Sequence, residues 1–169
     1  MNAADEPAAG FLTRVDELEQ RLRREAASPP APGLTDPDPP TGERWDHGQI
    51  WAHLGEFVPY WTEQAGLVAD PSHPEPVPFG RVKSDPVRVA AIERDRGRPA
   101  EELMARLSGH LVELRAFIAG LPAESWGRKG LHSTLGEMDM PGILQEFLVG
   151  HLESHAAQLD GLRVQQPAG

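Results

Sequence analysis

Apolar residues recur along this chain at helical spacing in four long stretches, separated by segments dense in proline and glycine. From about Ala8 to Ala26, Phe11, Val15, Leu18 and Leu22 share one face, with Arg14, Glu17, Arg21 and Arg24 largely opposite. A second helix begins after Trp45 and Asp46, with Ile50, Leu54, Phe57 and Trp61 on its apolar side and Asp46 placed to cap its first turn. Pro59 removes the bond to the Gly55 carbonyl and should bend or end this helix, although the glycine leaves room for the ring. Asp85-Pro86 starts a helical segment to about Arg96, broken by Gly97 and Pro99. Leu103, Leu107, Leu111, Leu114 and Ile118 then mark a third long helix from Ala100, stopped by Gly120 and Pro122. Pro141 opens the last, which reaches about Arg163 with Leu144, Phe147, Leu148, Leu152, Leu159 and Leu162 on a broad apolar side.

No stretch alternates with a period of two, and no repeat is visible. Ser28 to Gly42 and Val68 to Pro86 read as long extended connections, and a loop holding Trp126, His132 and Gly136 precedes the last helix. The expected class is therefore all-α: a four-helix bundle whose long connections leave room for crossover topology. At 169 residues the chain fits one domain, placed at residues 8–165, with flexible tails at 1–7 and 166–169.

Sixteen basic residues against 26 acidic ones leave a net charge of -10, which argues against nucleic acid or an anionic membrane surface as a partner. No apolar run approaches the ~18 residues of a membrane span, and the first ten residues do not read as a signal, so a soluble cytoplasmic protein is expected. Without cysteine, any metal must be held by nitrogen and oxygen, and any thiol nucleophile must come from outside the chain.

Seven histidines remain as candidates for chemistry. His151 and His155 are one helical turn apart, the spacing that lets two imidazoles hold one metal, and both fall within the apolar arc of the last helix. His53 lies on the apolar arc of the second helix with Ile50, Phe57 and Trp61. Three inward imidazoles on facing helices would make a three-nitrogen site with one position open for water or substrate. Equally, they are three separate core histidines satisfied by backbone or water. His110 also sits on an apolar face but has no neighbour at metal-binding spacing, which favours a structural role. Gln49 and Glu56 flank His53, and Gln158 follows His155. Each could orient a ligand or take a proton from metal-bound water, or simply solvate a rim, the favoured reading for Glu56. His132 and Trp126 would stand near one bundle end, at a pocket mouth or as packing. A basic pocket of Arg94, Arg96 or Arg128 could admit an anion despite the net charge.

Two segments resemble the DinB-like superfamily, which includes YfiT-type proteins and the mycothiol-dependent maleylpyruvate isomerase group. Trp45 to Trp61, WDHGQIWAHLGEFVPYW, is similar to the segment bearing that family's first metal histidine, here His53. Gly130 to Leu159 resembles the segment with a loop histidine, a glycine and an H-x-x-x-H pair followed by Gln-Leu. The resemblance implies a four-helix bundle of crossover connectivity, often dimeric, with a divalent metal, zinc or nickel, on His53, His151 and His155. It also implies activation of a low-molecular-weight thiol of the mycothiol type for transfer to an electrophile, with Glu56, Gln158 and His132 at most assisting. Ser154 stands where many relatives carry another histidine, and His151 replaces the carboxylate ligand of the isomerase subgroup, which argues against that isomerase activity. A metal-dependent thiol S-transferase or hydrolase is the leading expectation. A non-catalytic dimeric metal-binding stress-response protein is the alternative, and a helical module for partner proteins is a third reading.

Overall fold

In the computed structural model, which describes residues 5–164, the elements expected as helices form: α1 (Asp5–Ala26), α2 (His47–Ala69), α3 (Pro86–Asp95), α4 (Ala100–Gly120), α5 (Met140–Ile143) and α6 (Gly150–Val164). A π-helical segment, Leu144–Val149, joins α5 to α6, so the last helix continues from Met140 to Val164 with one widened stretch. Helix α1 starts at Asp5, inside the segment expected to be a tail. The remainder of the expected tails, 1–4 and 166–169, lies outside the described residues, as does residue 165 of the expected domain.

Local chemistry sets the helix starts. The Asp46 carboxylate accepts the Gln49 N–H at 2.8 Å while the Gln49 side chain accepts the Asp46 N–H at 3.0 Å, a reciprocal cap that satisfies two donors at the start of α2. Asp85 accepts from the Arg88 N–H before Pro86, and Asp139 from the Gly142 N–H before Pro141. Pro59 does not end α2. Only open space surrounds the Cα of Gly55, one turn back, and the flanking Phe57, Val58 and Trp61 are buried, so tertiary packing holds the helix through the proline.

Helix α4 packs against both α1 and α2, and α6 against the same two. The helices that follow each other in sequence, α1 with α2 and α4 with α6, therefore face each other across the bundle diagonal. The long connections make this crossover order possible. Inside, the faces read from the sequence meet: Val15, Leu22, Ile50, Leu54, Phe57, Leu107, Leu111, Leu114, Leu148 and Leu159 have no accessible surface. At about 1.5–3 kcal/mol for each large side chain buried, this apolar core dominates the stabilising side of folding.

Two segments read as loops contain strands. β1 (Val77–Phe79) pairs in parallel with β2 (Lys129–His132), which pairs antiparallel with β3 (Gly136–Asp139). Three- and four-residue strands are too short for alternation to show, and here a glycine decides one of the contacts. A Cβ on Gly130 would lie 2.7 Å from the Phe79 ring, so only glycine lets β2 close over β1. Arg128 ties the sheet to the end of α2 by donating to the Val68 and His73 carbonyls at 2.6 and 2.7 Å. The long loop after α1 is also pinned. Thr35 exchanges hydrogen bonds with Trp45 through backbone and hydroxyl, at 2.8 and 2.9 Å, which fixes Trp45 just ahead of α2.

Removing the α2 cap should weaken the bundle without abolishing it. Asp46→Ala loses the cap and the ion pair with Arg96, and the expected cost is about 1–2 kcal/mol, read as a lower urea midpoint at unchanged slope.

Candidate metal centre

His53, in the middle of α2, meets His151 and His155 of α6, where the two helices pack. The His53 and His151 Nε2 atoms are 3.1 Å apart, as are those of His155 and His151. For three ligands at a metal–nitrogen distance of 2.0–2.1 Å, tetrahedral geometry places the nitrogens roughly 3.3 Å apart. Two of the three pairs are close to that spacing, and all three lie within 4.8 Å. Its walls are aromatic: Trp45 stacks on His155 at 5.8 Å and meets His53 edge-on at 4.9 Å, and Phe57 meets His151 edge-on at 4.6 Å. His53 and His155 are only 4 % and 6 % exposed, whereas His151 is partly open to solvent.

Outer contacts determine which nitrogen faces inward. His155 Nδ1 is 2.7 Å from the Gln158 carbonyl oxygen, and His53 Nδ1 is 3.3 Å from Glu56 Oε2. The Gln158 oxygen is an acceptor, so His155 Nδ1 carries its hydrogen and its Nε2 presents a lone pair to the centre, whereas His53 Nδ1 and Glu56 Oε2 make no hydrogen bond with each other. His151 can donate to one neighbouring Nε2 and not to both. A cation satisfies all three at once, and the donor set of three neutral imidazoles suits zinc, nickel, copper or iron. Burial pushes the proton affinity of all three down, His53 and His151 well below the usual value and His155 to about 4, with the Arg88 guanidinium adding to the effect on each. Neutral, ligand-competent imidazoles are the result.

The Glu56 side chain, expected on a solvated rim, is only 10 % exposed and lies between His53 and the Arg81 guanidinium, with which it forms an ion pair. Burial raises its pKa against the opposing pull of Arg81. Gln49 is spent on the α2 cap. His132 is buried away from the cluster, against Phe147 at 4.9 Å, Phe79 at 5.6 Å and Trp61 at 6.1 Å. Its Nδ1 accepts from the Thr134 and Leu135 N–H groups, and Gly80, at φ 91°, is needed because a side chain there would overlap the ring. It therefore organises the sheet. Trp126 stacks on Phe11 in the core and forms no pocket mouth at the cluster. His110 faces Glu113 at 3.5 Å on a half-exposed surface, and His47 is buried against Glu25 and Trp51.

Arg94, Arg96 and Arg128 do not form a basic pocket, since each is engaged by Asp95, by Asp46 with Glu93, and by Glu75 respectively. Sequence reasoning missed Arg81, between β1 and α3, Arg88, in the first turn of α3, and the role of Trp45 as a wall. It also missed the π segment. Gly150 lies five residues after Gln145, and a Cβ there would overlap the Gln145 carbonyl, so glycine lets the helix widen immediately before His151. The sequence signal was a glycine inside an otherwise apolar helical run.

A cleft of about 490 Å3, lined by Thr35, Asp36, Asp38, Ser154, Ala157 and Gln158, reaches the cluster only through Gln158, which bonds His155. A larger depression of about 540 Å3, lined by Phe117 and Arg128, lies at the other end of α2, away from the imidazoles.

By sequence, the chain matches the DinB superfamily over residues 10–159. Among solved structures it is similar to YfiT from Bacillus subtilis, described as a probable metal-dependent hydrolase with an unusual four-helix bundle topology, with a TM-score of 0.75 at 16 % identity over 98 % of this chain and 89 % of that one. It is also similar to the mycothiol-dependent maleylpyruvate isomerase, with a TM-score of 0.68 at 12 % identity, covering 94 % of this chain and 63 % of the isomerase. No curated protein matches by sequence.

Two outcomes follow for the protein in solution. Stability of the metal-free form should depend on pH through the imidazoles: an unfolded chain takes up protons near pH 6.5, the folded cluster does so only well below that, and for His155 near 4. Stability is then full above pH 6.5 and declines as pH falls toward about 4, by up to roughly 1.4 kcal/mol per pH unit for each such group. Urea midpoints between pH 7.5 and 5 would show it, with a flatter profile in His155→Gln. Gly150→Ala should shift the π segment and misplace His151, weakening zinc binding by at least about tenfold in a competition titration.

Proposed function

This chain belongs to the DinB superfamily, and on that premise we propose that it is a metal-dependent enzyme acting on a small thiol, a low-molecular-weight thiol S-transferase or a related hydrolase, with His53, His151 and His155 as ligands to zinc or nickel. The observation that supports the reading is the convergence of the three Nε2 atoms, that of His155 fixed by the Gln158 acceptor on the far side of the ring. A divalent ion held there would lower the pKa of a thiol or of water and leave a coordination position for it. The partly open edge at His151 and the cleft beside Gln158 offer approach for a thiol and an electrophile.

The chain's own residues then have separable tasks. Gln158 holds His155 in the tautomer that binds, and neither it nor Glu56 is free to carry a substrate proton: the Gln158 amide does not titrate, and Glu56 is paired with Arg81. Trp45 and Phe57 exclude water from the buried imidazoles, which strengthens every charge interaction inside the site. With no cysteine in the chain, the thiol is a cosubstrate. In transfer, its sulfur forms the new bond to the electrophilic carbon, and its proton ends on the departing group or on the carbon left electron-rich. His132 takes no part in this scheme.

The competing reading, a non-catalytic dimeric metal-binding stress-response protein, draws on the near-complete burial of His53 and His155. Turnover separates the two. Elemental analysis should find about one zinc or nickel per chain, lost in His53→Ala and His155→Ala. A mycothiol- or bacillithiol-dependent loss of monochlorobimane should be abolished by chelation and restored by the ion. A loaded protein that turns over no thiol with a panel of electrophiles would leave the non-catalytic reading standing. Gln158→Ala should weaken metal affinity by about 10–100-fold while leaving the fold intact, since it removes an orienting contact and no ligand.

A further inference from the structure

Glu56 shares one face of α2 with Tyr60 and Gln64, one and two turns further along the helix. The chain leaving β1 docks along this stripe. The Gly80 N–H donates to the Gln64 side-chain oxygen at 2.8 Å, the Arg81 guanidinium lies over the Tyr60 ring at 3.8 Å, and Arg81 Nη2 donates to Glu56 Oε1. The ion pair is buried, its two side chains 9 % and 10 % exposed.

A guanidinium fork can hold both oxygens of a carboxylate in parallel bonds, but Arg81 holds only one. Glu56 Oε2 is buried with no hydrogen-bond partner among the described residues, and 3.3 Å away lies His53 Nδ1, equally buried and equally without one. The separation is within hydrogen-bond reach while the alignment is not. Each such atom is costly to bury, and a single contact between them would answer both. That contact requires the hydrogen of His53 on Nδ1, which leaves a lone pair on Nε2, the nitrogen that faces His151 at 3.1 Å. A histidine that binds a cation through one nitrogen needs this tautomer and donates through the other. A purely structural ion pair accounts for Oε1 and leaves Oε2 unexplained.

We infer that Arg81 is a positioning residue for the metal site, holding Glu56 so that its Oε2 takes the Nδ1 hydrogen of His53 when Nε2 binds the ion. The inference rests on the metal-site reading above and deepens it, since it names what orients the ligand that Gln158 does not serve. Neither Arg81 nor Glu56 coordinates the metal or touches substrate in this account.

Zinc affinity, measured by chelator competition on the full chain, is the primary readout, and urea midpoints of the chelator-treated samples control for folding. Glu56→Ala should bind zinc about 10–100-fold more weakly. Arg81→Met, which leaves the carboxylate in place and removes what aims it, should lose about fivefold or more, and Arg81→Lys should lose less. Because Arg81 acts through Glu56, the double variant should bind no more weakly than Glu56→Ala alone. In zinc-loaded wild type the His53 Nδ1 hydrogen should give a downfield, slowly exchanging imidazole proton resonance that Glu56→Ala loses. A role in folding alone would lower the urea midpoints and leave zinc affinity and this resonance in place. Zinc affinity of Arg81→Met within about twofold of wild type, or additive losses in the double variant, overturns the inference. If either single variant fails to fold, Arg81→Lys decides alone: a severalfold loss supports the inference and full affinity overturns it. A wild type that takes up no zinc defeats the metal site and this inference with it, whereas a zinc-binding wild type with unaffected variants defeats this inference alone.

Discussion

Three imidazole nitrogens point at one another in an interior too apolar to leave them unanswered. Lone pairs 3.1 Å apart repel unless a proton or cation stands between them, and burial makes the proton a poor choice by driving each imidazole toward its neutral form. A metal ion held there would resolve that conflict. Gln158 accepts from the outward nitrogen of His155, Glu56 lies 3.3 Å from that of His53, and the rings of Trp45 and Phe57 wall the cluster.

The bundle delivers these groups through its connectivity. Helix α6 packs against α1 and α2, so a ligand from the second helix and two from the last can meet only because the chain crosses the diagonal between sequential helices. The π segment sets the phase of α6. By admitting an extra residue into the turn before His151, it changes which side chains of the last helix face α2, and Gly150 is what makes that turn sterically possible. The small sheet is secondary to this. It packs His132 among Trp61, Phe79 and Phe147 and, through the segment after β1, brings Arg81 to Glu56 beside His53.

Charge is handled by pairing. The chain is acidic overall, and most arginines are locked into pairs such as Arg14 with Glu153 and Arg115 with Asp16 and Glu19. Near the imidazoles Arg81 pairs with Glu56 and Lys83 with Asp38. Local field, and not net charge, governs what a small ligand meets at a buried centre, because screening by solvent is weak there.

The sequence by itself determined the helices and their faces. Phe11 to Leu22, Ile50 to Trp61 and Leu103 to Ile118 repeat at helical spacing, and Asp46 and Asp85 announce their starts, because amphipathic period and end-capping are local properties written in a few consecutive residues. It also marked His53, His151 and His155 as inward-facing. Only the tertiary structure decided that Pro59 lies inside a continuous helix, that three- and four-residue strands pair across some fifty residues of chain, and that His132 belongs to the sheet and not to the cluster. It alone turned Glu56 from a rim residue into a buried one held between Arg81 and His53. These outcomes depend on which distant groups share a dry, low-dielectric space, and no spacing within the chain encodes that.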